Sequence, residues 1–216
     1  MTLLNRALNF LFPPYCKICG KQGDFEICEN CIKRIKRLEK YQHLKLENRS
    51  LDELIYFFKY ENDIRKMILS YKFFNKYYFG KVFAKIMLKN EKFCGILEFY
   101  DIIIPVPMHK SKIKERGYNQ AELLAENLVK DYKALVYEKS ILIKAVNNKK
   151  QSSLSEKERY SNIKNVFKVQ NSDKIKEKRI ILVDDICTTS ATLEECSKIL
   201  KEAGAKYVTA VVIAKD

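Results

Sequence analysis

"KRIILVDDICTTSATLEE", residues 178–195, decides the fold. It opens on a branched apolar run, Ile180 to Val183, of the kind that fills a strand buried on both faces. Two carboxylates, Asp184 and Asp185, stand where that run ends, and a loop of small, mostly hydroxyl-bearing residues follows. The period of a helix comes next. Strand, acid pair, loop and helix make half of a parallel α/β unit, and ligands of such sheets sit outside the carboxyl ends of the strands. Backbone N–H groups of such a loop and of the first helical turn point at a bound anion, and the helix dipole favours negative charge there. Thr188, Thr189, Ser190 and Thr192 add hydroxyl groups around Ala191. An ionised carboxylate is an acceptor, so adjacent Asp residues suit paired sugar hydroxyls, or a divalent cation directly or through water. A sugar carrying a phosphate needs both ends of this arrangement.

Two other readings compete. "ILVDD" alone resembles the metal-binding strand of a nucleotide hydrolase, but that chemistry needs an upstream G-x4-G-K-[ST] loop. The Gly-Lys pairs here are followed by Gln22 and Val82. Thr192 and Glu195 can form a capping box, which leaves the two Asp residues unexplained.

Outward from this stretch the pattern repeats. "DIIIPVP" (101–107) reads as another buried strand. After "MHKSKIKERGYNQ" comes a helix with Ala121, Leu124, Ala125 and Leu128 in register. "SILIKAV" reads as a strand, "VFKV" is a short apolar run, and "YVTAVVIA" ends the chain as a buried strand after Gly204 has closed a helix. The fold class is α/β, a mostly parallel sheet flanked by helices. Residues 50–94 read as mostly helical, with Ile64, Met67, Ile68 and Tyr71 on one face and Val82, Phe83, Ile86 and Met87 on another. The aromatic density of "YKFFNKYYF" (71–79) has two readings, core or a nucleic-acid stacking surface.

At the other end, "YCKICGKQGDFEICENCIKRIKRLEK" spaces Cys16, Cys19, Cys28 and Cys31 as C-x2-C, eight residues, C-x2-C. Two thiolates three positions apart grip one metal from a tight turn, and Gly20 permits the left-handed backbone such a turn uses. Two such turns close a four-thiolate tetrahedron, the structural zinc arrangement. Disulfides and free thiols are the alternatives; so short a segment has little else to fold around than a metal. Ile32, Ile35 and Leu38 recur at helical spacing, so the second knuckle opens a basic helix bearing Lys33, Arg34, Lys36 and Arg37.

Composition agrees. A chain of 216 residues, 47% hydrophobic, has room for one main domain and a small appendage. Its 41 Lys and Arg against 27 Asp and Glu give a net charge of +14. That balance suits polyanionic partners: nucleic acid, an anionic membrane face or phosphorylated small molecules. A plain compositional bias toward Lys gives the same excess. No stretch reaches the roughly 20 apolar residues of a membrane span, and "MTLLNRALNFLFPPYC" lacks the build of a signal peptide. Seven cysteines, four of them in metal-like pairs, fit a reducing cytoplasm better than a disulfide framework.

"ILVDDICTTSAT" resembles the signature of type I phosphoribosyltransferases, which bind 5-phosphoribosyl-1-pyrophosphate. Three further segments accompany it. They are "IPVPMHKSKIKERGYNQAELLA", the Q-x2-L-x4-R-x2-N-x4-F spacing of Gln151, Leu154, Arg159, Asn162 and Phe167, and the four-cysteine knuckle. Together, over nearly the whole chain, they resemble the ComF family of competence-associated phosphoribosyltransferase-like proteins. The resemblance implies a zinc finger with a basic helix over 1–45, a helical connecting region packed on the main domain over 46–98, and a phosphoribosyltransferase-like domain over 99–216. It implies that Asp184 and Asp185 meet the ribose hydroxyls, with magnesium, and that Thr188, Thr189, Ser190, Ala191 and Thr192 cradle the 5′-phosphate. Arg116, beside Gly117, is the candidate pyrophosphate contact. Residues 147–165 resemble the loop that closes over substrate; its Lys149, Lys150 and Arg159, with Lys33, Arg34, Lys36 and Arg37, are the candidate DNA contacts. The family usually has Gly where this chain has Ser190, a cost of about 1 kcal/mol if the backbone there is left-handed.

The implied function is the handling of single-stranded DNA in natural transformation, at the cytoplasmic side of the inner membrane. Phosphoribosyl pyrophosphate or a related sugar phosphate is the implied small ligand, and any contact with the inner-membrane uptake machinery is peripheral. The alternative is an active phosphoribosyltransferase of unknown acceptor. In it Asp184, Asp185 and Arg116 are catalytic, and magnesium with Arg116 stabilises the departing pyrophosphate.

Overall fold

The computed structural model describes residues 13–23, 27–132, 135–146 and 166–216. They fall into two compact units, one ending at Glu39 and one running from Lys40 to Asp216.

The smaller unit is built on its cysteines. Gly20 takes the left-handed backbone expected of the first knuckle, with φ +75°. Its N–H donates to the Cys16 carbonyl at 2.9 Å, and the Cys16 N–H donates to the Lys21 carbonyl at 2.8 Å. The second knuckle opens helix α1 (Glu29–Lys36), as its spacing predicts. Cys31, Ile32 and Ile35 are buried, while Lys33, Arg34, Lys36 and Arg37 are exposed. Leu38 lies beyond the helix and is exposed.

The larger unit holds a six-stranded sheet. Its strands are β1 (Gln42–Lys45), β2 (Glu53–Lys59), β3 (Ile102–Pro105), β4 (Val136–Tyr137), β7 (Arg179–Cys187) and β8 (Tyr207–Lys215). A separate antiparallel pair is formed by β5 (Leu142–Lys144) and β6 (Phe167–Val169). The spatial order of the large sheet is β1-β2-β8-β7-β3-β4. Every neighbouring pair is parallel except β1 with β2. The helices are α2 (Asn62–Phe73), α3 (Tyr78–Met87), α4 (Glu91–Leu97), α5 (Lys110–Arg116), α6 (Gln120–Asp131) and α7 (Ala191–Glu202). The expected mixed α/β class and mostly parallel sheet are present. Ala121, Leu124, Ala125 and Leu128 are buried on α6, as are Val82, Phe83, Ile86 and Met87 on α3.

Two expectations need correction. Residues 46–98 are not simply a helical connector: β2 lies inside the large sheet, parallel to β8 on one side and antiparallel to β1 on the other. Inside "ELIYFFK" the five residues Leu54 to Phe58 are branched or aromatic, a run too short for its period to separate helix from strand, and its composition favours the strand. "SILIKAV" does form a strand, but β5 belongs to the side pair and not to the parallel sheet.

The topology opens a crevice where a candidate site can form. From β3 the chain passes through α5 and α6 to β4, on one side; from β7 it passes through α7 to β8, on the other. β3 and β7 are neighbours, so the connections diverge between them. That divergence opens a crevice beyond the carboxyl ends of the two strands.

Candidate functional site

A cavity of about 510 Å³ occupies that crevice. Its floor is residues 106–108 after β3 and residues 184–193 from β7 into α7; Lys72, Phe73, Lys112, Arg116 and Lys144 stand around it. Arg116, Asp184, Asp185 and all of 188–192 are therefore brought to one place, as the sequence predicts.

The acid pair does not end its strand. Ile186 and Cys187 still pair with Ala214 and Lys215 of β8, so the connecting loop is only Thr188 to Ser190 and α7 starts at Ala191. Ala191 and Thr192 thus belong to the first helical turn, where α-helices carry N–H groups with no acceptor within the helix. Ser190 is the N-cap residue, with φ +61° and no side-chain cap bond. The cap is therefore not the Thr192–Glu195 box. The backbone at 190 has the left-handed form that suits the family's usual Gly, so this Ser carries a strain of about 1 kcal/mol. Its Oγ lies 3.2 Å from the Cys187 sulfur.

Charge at the pair is uneven. Asp185 is 6% exposed, and its Oδ1 lies 2.8 Å from the Lys72 ammonium. Its N–H donates to Asp184 Oδ1 at 2.7 Å. Burial, and then the negative charge of Asp185, push the Asp184 carboxyl up to about 7; Lys72 and Lys144 act against that rise. Burial pulls the Lys144 ammonium below its usual value while the charge of Asp184 pulls it back. Its side chain lies over the Phe167 ring, 5.5 Å from the centroid.

Lys72 is held in place by the segment that carries Arg116. Tyr118 donates its hydroxyl to the Tyr71 carbonyl, and Gln120 Nε2 reaches the same oxygen at 3.4 Å. Tyr71 is fully buried and donates its hydroxyl to the Gln120 carbonyl at 2.8 Å. Arg116 Nη1 donates to Gln120 Oε1 at 2.6 Å, and its guanidinium lies 5.1 Å from the Phe73 ring centroid. Asn119 caps α6 by accepting from the Ala121 N–H, and donates to the Val106 carbonyl at 3.0 Å. Gly117 ends α5 in the left-handed form, φ +88°. "RGYNQ" is therefore a clamp as well as a source of one cation. It fixes the last turn of α2, and through it the ammonium on Asp185.

Residues 113–216 match the family model for the phosphoribosyl transferase domain. Competence protein F of Haemophilus influenzae is 29% identical over 201 residues, spanning 90% of this chain and 82% of that protein. Competence protein ComFC of Bacillus subtilis is 29% identical over 197 residues, spanning 88% of this chain and 72% of that one. This chain is a ComF-family, phosphoribosyltransferase-like protein. Among solved structures, glutamine phosphoribosylpyrophosphate amidotransferase from B. subtilis, complexed with ADP and GMP, aligns with a TM-score of 0.39 and 19% identity, covering 67% of this chain and 30% of that one.

The second chemical cluster of this ComF-family chain is the set of thiols. The sulfurs of Cys16, Cys19, Cys28 and Cys31 all lie within 4.8 Å of one another, with Cys19 and Cys28 at 3.7 Å. A tetrahedral four-thiolate zinc with bonds of about 2.3 Å has sulfurs roughly 3.8 Å apart, so the set fits one such ion. Burial alone would raise the Cys16 thiol, but N–H groups of Cys28, Cys19 and Ile18 bring it down to about 6. The sulfur is thus predisposed to the thiolate form a metal takes. Lys33, Arg34, Lys36 and Arg37 belong to this smaller unit. Lys149, Lys150 and Arg159, with Gln151, Leu154 and Asn162 of the spaced motif, lie outside the described residues.

Sequence reasoning missed Lys72, Lys112 and Lys144. Each is one Lys among many, and their positions around the acid pair depend on contacts between distant segments. The one local sign is that Lys72 follows Tyr71 on the buried face of its helix.

Proposed function

We propose that this chain is a competence protein that handles single-stranded DNA during natural transformation and carries a site for phosphoribosyl pyrophosphate with magnesium. The observation that supports it most is the single cavity holding the acid pair, Arg116 and the start of α7. The names of its relatives support the competence role. In this reading Asp184 and Asp185 accept from the ribose hydroxyls. The loop and first helical turn at 188–192 hold the 5′-phosphate, and Arg116, with Lys112, meets the pyrophosphate. Lys72 neutralises one of the two carboxylates, and the other is left for hydroxyl donors or a cation, so the pair fits magnesium. When bound, that ion supplies positive charge to the pyrophosphate. Zinc in the four-thiolate set stabilises the smaller unit and does no chemistry, since four ligands close its tetrahedron. Metal analysis of the purified protein is expected to find about one zinc per chain, lost in Cys28→Ser; a zinc-free folded protein overturns this part.

The basic face of α1 and the cations at 149, 150 and 159 contact the DNA backbone. No described helix is long and apolar enough to cross a membrane; association with inner-membrane uptake machinery, from the cytoplasm, is peripheral in this reading. The test is titration of single-stranded DNA at rising salt. Binding at low salt that falls steeply is expected, because Lys and Arg on phosphates release counterions. No binding at low salt contradicts the proposal.

The position of Arg116, braced by Gln120 at the cavity, favours a second reading as an active transferase. Release of pyrophosphate that requires an added acceptor and vanishes in Asp184→Asn is its expected signature.

A further inference from the structure

We infer that the turn joining α2 to α3, residues 73–77, is a base-stacking platform for single-stranded nucleic acid at the mouth of the cavity, an inference that rests on the DNA-handling reading above. Among the described residues five large aromatic side chains stand exposed, and three of them fall within five consecutive positions: Phe73, Phe74 and Tyr77, at 64%, 68% and 61%. Single exposed apolar side chains are ordinary; three rings gathered on one turn form a surface that serves a partner.

The turn is well supported. α2 ends at Phe73, the Phe74 N–H donates to the Ser70 carbonyl at 3.1 Å, and Asn75 takes the left-handed form at φ +53°. Tyr71 before it and Phe79 after it are buried. The ends of "YKFFNKYYF" are core, as one reading of it expects, and its middle faces solvent, as a stacking surface requires.

Phe73 links the turn to the cavity. It lines the cavity, and the planar guanidinium of Arg116 lies over its ring. Lys76 is exposed between Phe74 and Tyr77, and α5, which carries Arg116, exposes Lys110 and Lys114. Rings interleaved with cations match a single strand, whose bases present π faces and whose backbone is negative. A second copy of this chain matches them poorly, since a net charge of +14 on each copy opposes the contact.

The test is binding of a fluorescent single-stranded oligothymidylate to the full chain across a salt series. Phe74→Ala/Tyr77→Ala removes two rings, neither of which touches the acid pair. The variant is expected to bind at least about thirtyfold more weakly, with the salt slope and melting temperature of the wild type, because it loses stacking and no phosphate contact. Phe74→Tyr retains binding, and Lys76→Ala lowers the salt slope by about 0.7, the share of one phosphate contact on a single strand. Wild-type affinity in the double-ring variant, with DNA binding intact in the wild type, overturns the platform alone. Absence of binding in the wild type overturns the DNA-handling reading and the platform with it. A change from dimer to monomer in sedimentation, with DNA affinity unaltered, assigns the rings to a second copy and also overturns the platform.

Discussion

One wall of the cavity, from β7 through Thr188–Ser190 into α7, presents main chain and short side chains. The opposite wall, from α2 and α5, presents Lys72, Phe73 and Arg116 at the ends of longer side chains. The first wall is fixed by a strand paired to its neighbours and by a twelve-residue helix. The second is fixed by individual contacts: Lys72 on Asp185, Arg116 on Gln120, and Tyr118 and Gln120 on the Tyr71 carbonyl. The difference has a consequence for mutation. Substitutions on the backbone wall leave its donors in place, whereas the side-chain wall is exposed to changes several residues away.

The largest effect is expected where the two walls meet. Lys72→Met leaves the Asp185 carboxylate buried without its ammonium, and breaking a partly buried pair of this kind costs about 3 kcal/mol. Thermal denaturation with and without magnesium measures it. A large loss of stability, partly recovered by the ion, is expected; an unchanged melting temperature would show the pair to be dispensable.

Gly80→Ala comes next and acts from outside the cavity. A Cβ at Gly80 would lie 2.6 Å from the Tyr71 hydroxyl and 3.4 Å from Leu123 Cβ. Tyr71 is fully buried and bonded to the Gln120 carbonyl, so it cannot swing clear. A loss of about 2 kcal/mol is expected from the overpacking, together with weaker ligand binding, since Tyr71 precedes Lys72. Denaturant unfolding and calorimetry on the same variant check both; lost stability with unaltered binding would uncouple the clamp from the site.

Ser190→Gly tests the backbone wall and is expected to do least. Relief of the left-handed strain, about 1 kcal/mol, is offset by the greater freedom of Gly in the unfolded chain. Stability should stay within about 0.5 kcal/mol of the wild type, and affinity for phosphoribosyl pyrophosphate within about threefold. A loss of tenfold or more would show the Ser190 hydroxyl to be a ligand contact.

The same contrast explains what the sequence disclosed. The backbone wall is local: strand, acid pair, loop and helix follow one another in eighteen residues, so "KRIILVDDICTTSATLEE" discloses the fold and one wall of the candidate site. The knuckles are equally local. Apart from the local contact of Arg116 with Gln120, the side-chain wall joins residues about 47 to 113 positions apart, and nothing around Lys72 announces a partner at Asp185. β2 was obscured for a different reason: its five apolar residues, Leu54 to Phe58, run without a polar break, so no period shows. Ser190 was legible as a departure from the family's Gly, whereas its left-handed backbone, a condition in the sequence, is seen only in the structure.

Calorimetry of phosphoribosyl pyrophosphate with magnesium, on the wild type and on Asp185→Asn, bears most directly on the claim that this cavity binds a phosphorylated pentose. Saturable binding at one site per chain is expected, weakened on the order of a hundredfold in the variant by the loss of a charged acceptor. No heat of binding in the wild type, or equal affinity in a folded Asp185→Asn, would contradict it.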